Sequence, residues 1–396
     1  MSNVKFFYTA NILFTIIISF FNPILYIYLL SKQFSFTEVG LYLTFFWIVS
    51  FLTEIPCGAI TDNIGGKNSL ILSLVLKIVG LAMIFSGKLY IIYISAILSA
   101  ISESFQSGTL SSWIVNVGKK YDMNINIDKV FSRSSLYSLF FSLVIGFISA
   151  KYLYEFDKNL PIIFSIIICF ISLIVIVIFM KELEEIHKIS IEKLKGSFIT
   201  VKKSLKEILY IKSSLYLMLI FLLPQIIDLG PSNQWQAVFE NLDASIIGYV
   251  WIGISLSGML GSIVYEKFSN AFSKLKMLYI LIVVNILLLL LFIFSINLYV
   301  KFVLFMFYIF IFTLIGIQIN IFMHKYLVKS DENRTTTVSV FYTFESILVA
   351  ILLSINGYLT DLVGISKTWL IFLIVVLIIS TLSAIKLKLT TERENN

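Results

Sequence analysis

The stretch MLYILIVVNILLLLLFIFSI, residues 277–296, decides the fold class of this chain. It is twenty residues long and carries no charge. A helix needs about 20 consecutive apolar residues to cross the hydrocarbon core of a bilayer. Segments in lipid must satisfy their own backbone hydrogen bonds, and the stretch lacks the alternation of a barrel strand. It therefore predicts a transmembrane helix.

Composition extends this prediction to the whole chain of 396 residues, of which 59% are hydrophobic and 13% charged. Soluble domains have roughly 25% charged residues, so most of this chain has lipid as its solvent. Twelve apolar segments are expected near residues 7–30, 37–61, 68–87, 88–117, 130–153, 159–180, 213–239, 244–268, 275–296, 299–327, 335–360 and 366–387. The sequence predicts an all-α integral membrane protein with twelve transmembrane helices.

A polar stretch at 181–212 separates the first six segments from the last six. It contains eight lysines and five glutamates, and its apolar residues recur every three or four positions. That pattern is typical of an amphipathic helix on a membrane surface. We expect an N-terminal bundle at 1–180, an amphipathic linker at 181–212 and a C-terminal bundle at 213–396.

The basic residues indicate the orientation. With the N-terminus inside, 23 of the 30 Lys and Arg residues lie on the cytoplasmic side, six lie outside, and Lys77 remains within a span. Cytoplasmic loops are enriched in Lys and Arg, so both termini are expected in the cytoplasm of a cell membrane. This asymmetry also accounts for the net charge of +7 without a nucleic-acid partner.

Other classes of site find little support. The two cysteines, Cys57 and Cys169, lie in or beside apolar segments and do not predict a disulfide framework. The two histidines, His187 and His324, are too few and too far apart in sequence for a metal site. With no nucleophile–base set either, we expect neither an enzyme nor a cofactor.

A second stretch, EIPCGAITDNIGGKNSL at residues 54–70, joins segments two and three on the cytoplasmic side. A phosphate-binding loop is excluded, because the position for its first glycine holds Thr61 and the residue after Lys67 is Asn68. The glycines favour a tight turn between two helices.

This loop resembles the hallmark G-x-L-A-D-R-x-G-R-K-x-x-L of the major facilitator superfamily, through Gly58, Asp62, Gly65, Lys67 and Leu70. It is also similar to the E-I-P-T-G-A-I-A-D variant of bacterial members. Two arginines of the pattern are replaced by asparagine and glycine, and the second half of the chain has no intact copy.

The resemblance implies two six-helix bundles that expose a central site alternately to each side, with helices three, six, nine and twelve outermost. It also implies that Gly58, Asp62, Gly65 and Lys67 form a cytoplasmic gating loop. We expect Asp62 to precede the third helix, where its carboxylate meets the positive end of the helix dipole. The alternative is a capped turn without a gating role.

Polar residues at helical spacing favour an interior lining on segments one, four, five, seven, ten and eleven, whereas segments three, six, nine and twelve are almost purely apolar. Candidate substrate contacts on these stripes are Asn22, Tyr26, Gln106 and Tyr342.

Charges within the spans are expensive, about 2.5–3.5 kcal/mol for Lys or Asp at the bilayer centre, so each needs a partner or a function. Glu103, Asp228 and Glu345 are the candidate proton-titrating or cation-binding carboxyls. We expect a broken helix around Asp228, which lies between Pro224 and Pro231; a solvated aspartate near the outer mouth is the alternative. Lys77 is expected to point inward and to pair with Glu54 or Glu103.

These features predict a monomeric secondary transporter, driven by protons, that exports hydrophobic and in some cases cationic small molecules such as drugs. Its partners are then the substrate, protons and the lipid bilayer. The antiporter run G-x-x-x-G-P-x-x-G-G is missing from segment five, where Gly146 stands alone. Proton-linked transport of a specific polar metabolite such as a sugar, peptide or siderophore is the alternative, and a non-transporting membrane sensor is a third class.

Overall fold

The structure is a computed structural model that describes residues 2–120, 126–181, 212–272, 275–323, 325 and 334–394. Within these ranges the side chains of 212–217, 244, 334–340 and 381–394 are not described. The predicted amphipathic linker and both histidines lie outside the described side chains. All regular structure in the described ranges is helical.

Residues 2–120 and 126–181, which the structure describes, form nine helices. They are α1 (Asn3–Phe21), α2 (Leu25–Ser31), α3 (Phe36–Ile64), α4 (Gly66–Met83), α5 (Leu89–Gln106), α6 (Thr109–Lys120), α7 (Ile127–Ile148), α8 (Tyr154–Phe156) and α9 (Leu160–Phe179). A 3₁₀ turn at Ile84–Ser86 extends α4, and a π-helical turn at Ser149–Leu153 joins α7 to α8.

The second part of the chain begins with a long helix. Its helices are α10 (Lys212–Glu240), α11 (Ile247–Lys267), α12 (Ser269–Phe272), α13 (Leu275–Phe294), α14 (Leu298–Phe322), α15 (Arg334–Val363) and α16 (Ile365–Glu394). A 3₁₀ turn at Ala244–Ile246 precedes α11.

Several helix ends follow from local chemistry. Ser35 and Glu38 form a capping box at the start of α3, which satisfies two backbone donors at once. Asn126 caps α7 and Asn297 caps α14 through their side-chain oxygens. Gly65, between α3 and α4, has a φ of 84°, a backbone conformation that favours glycine. The predicted tight turn at this loop is therefore confirmed.

The described residues contain ten helical runs that are long and apolar enough to cross a membrane. Helices α10 and α16 occupy the seventh and twelfth predicted segments, so a helix lies at each of the twelve positions. The predicted all-α membrane fold is confirmed, whereas the count of twelve crossings stays a prediction. One expectation was wrong, since α10 continues through Pro224 and Pro231 without a break.

Contacts within the chain divide it into two compact units. The first comprises Met1–Lys195 and Phe239–Ile252, and the second Gly196–Val238 and Gly253–Asn396. The bundles predicted at 1–180 and 213–396 stay a prediction.

In the first unit, α5 packs against α3 and α4, while α1 packs against α7 and α9. Small residues allow close approach of α4 and α5: the Ser95 hydroxyl donates to the Gly80 carbonyl oxygen (2.7 Å), and Ser73 and Ser102 bond each other across the same interface. Such small-residue contacts replace the hydrophobic effect, which is absent between helices in lipid.

In the second unit, α13 packs against α14 and α16. Asn285 on α13 donates to the Tyr308 carbonyl oxygen on α14 (2.9 Å). Trp369 on α16 donates from its indole to the Gln234 side-chain oxygen on α10 (2.7 Å), and Gln234 donates to Thr360 on α15 (2.9 Å). A buried polar network therefore joins three helices of this unit.

Candidate functional site

The polar stripe of the first span is largely used for helix packing. Asn11 donates to Ser134 and Ser138 on α7, at 2.7 and 2.8 Å, and Thr15 donates to Ser138 at 3.0 Å. Ser19 is buried and bonds its own helix. These side chains satisfy one another, so the stripe marks the contact between α1 and α7 more than an open lining.

The first span is interrupted where α1 ends at Phe21 and α2 begins at Leu25. Pro23 lacks the N–H that would continue the helix. The N–H of Ile24, which would bond the Phe20 carbonyl oxygen in a regular helix, bonds the Phe21 carbonyl oxygen at 3.1 Å. The Phe20 carbonyl oxygen accepts a hydrogen bond from the hydroxyl of Ser149, the first residue of the π-helical turn. Interrupted helices within a membrane are tolerated where they are buried in protein or line a cavity, which makes this break a candidate binding element.

Two predicted substrate contacts lie at or just after this break. Asn22 is exposed, whereas Tyr26 is buried and packs its ring 6.2 Å from that of Phe36. Of these two, only Asn22 is therefore accessible to a ligand in this structure.

We expected Glu103 to be buried in the middle of a helix, and the structure does not place it there. It is exposed, three residues before the end of α5, because the chain turns at Ser107 and at Gly108, whose φ is 69°. Glu103 lies on the same face of α5 as Ala96, Ser99 and Ala100, which are buried. Protein therefore does not cover this side of α5 at the level of Glu103. Gln106, one turn on, is half-buried and Glu54 on α3 is exposed.

Lys77 points inward as predicted, with 7% of its surface exposed. The predicted ion pair with Glu54 or Glu103 was wrong: the only ion pair among the described residues joins Lys151 and Glu155. The Lys77 ammonium lies 5.2 Å from the centre of the Phe21 ring. The geometric reason is that Glu103 and Glu54 are exposed while Lys77 occupies the packed face of α4.

Asp228 is buried in the second unit, so a solvated aspartate at an outer mouth is excluded for this structure. The Tyr308 hydroxyl on α14 donates to its Oδ1 at 2.8 Å. Tyr308 is fully buried and is held by Asn285, whose amide bonds its backbone carbonyl. The Ser232 hydroxyl also acts on the Asp228 carboxyl, so the groups that face it in this buried setting are neutral hydroxyls.

The remaining candidates of the second unit lie on α15. Glu345 is half-buried, and Tyr342 is exposed with its hydroxyl 3.4 Å from the side-chain nitrogen of Asn320. Glu345 is therefore not brought to hydrogen-bond distance of Asp228 or Tyr308.

In the loop at 54–70, the carboxylate of Asp62 does not cap the next helix. Asp62 lies within the last turn of α3 and is exposed, and α4 is capped by Gly65 without a side-chain bond. The loop is fastened by other residues: Thr61 and Ser69 share a hydrogen bond (2.6 Å), and Lys67 donates to the Val177 carbonyl oxygen on α9 (2.8 Å).

Sequence reasoning missed three features: Tyr308 as the partner of Asp228, the ring of Phe21 beside Lys77, and the burial of Lys301. Tyr308 sits in the apolar run FVLFMFYIFIF, where a tyrosine resembles any lipid-facing aromatic residue. Lys301 is one of the six basic residues expected outside, yet it is 8% exposed and donates to the Phe292 carbonyl oxygen. Burial of this residue has no sequence signal.

Comparison with solved structures supports the fold over nearly the whole chain. A crystal structure of the nucleoside transporter NupG covers 97% of this chain and 98% of its own, with a TM-score of 0.79 and 12% identity. A POT family transporter in complex with 5-aminolevulinic acid covers 96% of this chain and 95% of its own, with a TM-score of 0.72 and 13% identity. At such identity the likeness shows the fold alone.

Sequence comparison identifies the family. An uncharacterised MFS-type transporter, YxaM of Bacillus subtilis (strain 168), is 28% identical over 176 residues, which are 44% of this chain and 43% of that protein. The family model described as Major Facilitator Superfamily matches residues 7–351. The resemblance of the 54–70 loop is thus confirmed at the level of the family, while the drug-efflux subtype stays a prediction. The chain belongs to the Major Facilitator Superfamily and is a multi-pass membrane protein.

Proposed function

We propose that this transporter works by alternating access, is driven by protons and exports hydrophobic small molecules. The observation that carries the proton coupling is the buried Asp228 carboxyl, bonded by the Tyr308 hydroxyl and without a cationic partner among the described residues. An ionised carboxyl in such a setting costs several kcal/mol, and uptake of a proton removes the charge.

Coupling follows if Asp228 exchanges its proton with opposite sides of the membrane in the two access states. Tyr308 keeps the carboxyl oriented in either protonation state, because its hydroxyl both donates and accepts hydrogen bonds. Glu103 in the first unit and Glu345 in the second are further candidates for proton or cation binding. Asn22, Gln106 and Tyr342, which are at least partly accessible, are the proposed substrate contacts.

The membrane orientation is inferred from the distribution of basic residues, and the gating role from the loop at residues 54–70. We infer a monomer in the cell membrane with both termini cytoplasmic, supported by the excess of Lys and Arg in the inner loops. Gly58, Asp62, Gly65 and Lys67 are proposed as the cytoplasmic gating loop, and the bond from Lys67 to the end of α9 supports this role.

The second candidate is transport of a polar metabolite. The observation in its favour is Asn356 on α15, which is 4% exposed and whose side-chain nitrogen has no hydrogen-bond acceptor among the described residues. Such a donor suits a substrate with carbonyl or hydroxyl groups. Nucleosides, for which the structural neighbour NupG is a transporter, and 5-aminolevulinic acid, bound to the POT family transporter, contain such groups.

The test is proton movement in liposomes that contain the purified protein and an entrapped pH-sensitive dye. Gradients of tetraphenylphosphonium, 1-naphthoate, a nucleoside and a dipeptide are imposed in turn. We expect a hydrophobic compound to move protons, and Asp228→Asn to abolish this movement while exchange of labelled substrate across the membrane continues.

The matched control is Asp361→Asn, the same chemical change at an exposed position of α15, which should behave as the unmodified protein does. Proton movement by Asp228→Asn at the unmodified rate would remove Asp228 from the coupling. Movement with the nucleoside or dipeptide alone would favour the second candidate, and none with any gradient would reject proton coupling.

A further inference from the structure

The first unit contains a buried cation that the proton-coupling site does not use. Lys77 on α4 is 7% exposed, and within the part of the chain that the structure describes its ammonium makes neither an ion pair nor a hydrogen bond. A charged amine has three donors, and burying them without acceptors is costly. Its donors are therefore open to an anionic group other than Glu103, whose charge acts on the ammonium from beyond ion-pair distance.

Lys77 has an aromatic ring on one side and an exposed carboxylate on a neighbouring helix. The Phe21 ring lies 5.2 Å from the ammonium, at the end of α1 where the first span is interrupted. The titratable groups that act on Lys77 are Glu103 on α5 and Cys169 on α9. Glu103 is exposed, so protein does not cover this side of α5 near the lysine.

Helix α4 holds Lys77 firmly in this position. The residues that share its face, Ser69, Leu70, Ser73 and Leu74, are all buried, and Ser73 is bonded to Ser102 on α5. A rigid cation beside an aromatic ring matches a ligand with a carboxylate attached to an apolar body. The carboxylate would accept hydrogen bonds from the ammonium, and the apolar body would lie against Phe21.

We propose that Lys77 binds the anionic group of the transported molecule, so that the substrate class is a hydrophobic organic carboxylate. This rests on the proposed transport function and narrows its substrate class, since the sequence predicts hydrophobic compounds that in some cases are cationic. An alternative use of the same chemistry is the headgroup of an anionic lipid, which the experiment separates.

The experiment measures binding of three naphthalene probes to the full chain in nanodiscs of zwitterionic lipid. The probes are 1-naphthoate, 1-naphthylmethylammonium and 1-naphthylmethanol, which share one ring system and differ in charge. We expect naphthoate to bind most tightly, and Lys77→Gln to weaken its binding tenfold to about a hundredfold, the range for a hydrogen bond to a charged group. Lys77→Arg should restore part of the affinity.

The matched control is Lys301→Gln, which removes a buried lysine whose ammonium already bonds a carbonyl oxygen. It should leave naphthoate binding unchanged. Repeating the measurement in nanodiscs with anionic lipid distinguishes the two sources of the anion. If anionic lipid displaces naphthoate more effectively than free carboxylate does, the site belongs to lipid and the proposal is overturned.

Probe selectivity of the unmodified protein is informative even if Lys77→Gln does not fold. Equal affinity for the three probes, or preference for the ammonium, would overturn the proposal. A structural role for Lys77 would also contradict the proposal. Its signature is a lower thermal midpoint in Lys77→Gln that the additional change Glu103→Gln restores, with naphthoate binding unchanged in both variants. Lys77 would then be only a structural partner of Glu103. The liposome assay with Asp228→Asn is independent of these outcomes.

Discussion

Among the residues that the structure describes, each unit contains one buried lysine, and the two lysines differ in how their charge is satisfied. Lys301 in the second unit donates to the Phe292 carbonyl oxygen at 3.1 Å and lies 4.6 Å from the centre of that residue's ring. Lys77 in the first unit has the ring of Phe21 at 5.2 Å and no hydrogen bond within the described residues. Similar burial thus accompanies two different chemical situations.

The acceptor explains the difference. The Phe292 carbonyl lies in the last turn of α13, where backbone carbonyls lack helical partners and the helix dipole is negative. Lys301 therefore caps a helix and has a structural role. Lys77 lies within α4 and its ammonium faces Phe21 at the break of the first span, where no such carbonyl is supplied. On our proposal its charge is therefore available to a ligand.

The largest expected effect is on the stability of the substrate-free protein when Lys77 is replaced by methionine. The change removes an uncompensated charge while keeping a long apolar stem. We expect the free energy of unfolding to rise by about 2.5–3.5 kcal/mol, the scale of inserting lysine at the bilayer centre. Thermal unfolding in detergent measures this, with exposed Lys88→Met as the control. A lower midpoint for Lys77→Met would show that the charge is already compensated.

Lys301→Met should act in the opposite direction. It leaves the Phe292 carbonyl oxygen without its donor and removes a cation from the end of α13. A hydrogen bond to a charged group contributes about 1.5–3 kcal/mol, so the midpoint should fall. The same unfolding assay applies, and Lys301→Arg should retain much of the stability. An unchanged midpoint in Lys301→Met would make the two lysines equivalent and end the contrast.

Much of the fold could be predicted from sequence because lipid imposes simple rules. Apolar length located the helices, and the 54–70 loop indicated the family. The turn at Gly65 was equally accessible, since few other residues adopt a φ of 84°.

The site was less predictable because its residues are defined by contacts between distant segments. Ser95 and Ser102 look like pore-lining residues in sequence but bond α4 across a helix interface. Glu103 looks buried in sequence because the end of α5 at Gln106 cannot be located within a long apolar segment. Tyr308 is hidden among phenylalanines, and only the packing of α10 on α14 shows that it bonds Asp228.

A smaller effect tests whether the two units are otherwise packed alike. In the first unit a Cβ on Gly146 would overlap the indole ring of Trp251, and in the second a Cβ on Gly230 would overlap that of Trp369. Overpacking costs about 1–3 kcal/mol, so Gly146→Ala and Gly230→Ala should each lower the midpoint by a similar amount. Thermal unfolding of both variants checks this, with Gly316→Ala, which has open space around it, as the control.

If only one of these alanine variants were destabilised, the contrast between the lysines would have to be attributed to a general difference in packing. Similar losses in both would confine the contrast to the two charges and their acceptors.

The smallest expected effects concern the glycines of the 54–70 loop, the feature that the first unit has and the second lacks. Gly65→Ala places a Cβ on a residue with positive φ and should cost about 1 kcal/mol. Gly58 lies inside α3, where an added Cβ would meet nothing within 4 Å, so Gly58→Ala should stabilise the helix by about 0.5–1 kcal/mol. Unfolding midpoints and liposome transport are measured together. If Gly58→Ala is more stable and still transports at the unmodified rate, Gly58 has no gating role; if it is more stable but slow, the loop moves during transport and the glycine is needed for that motion.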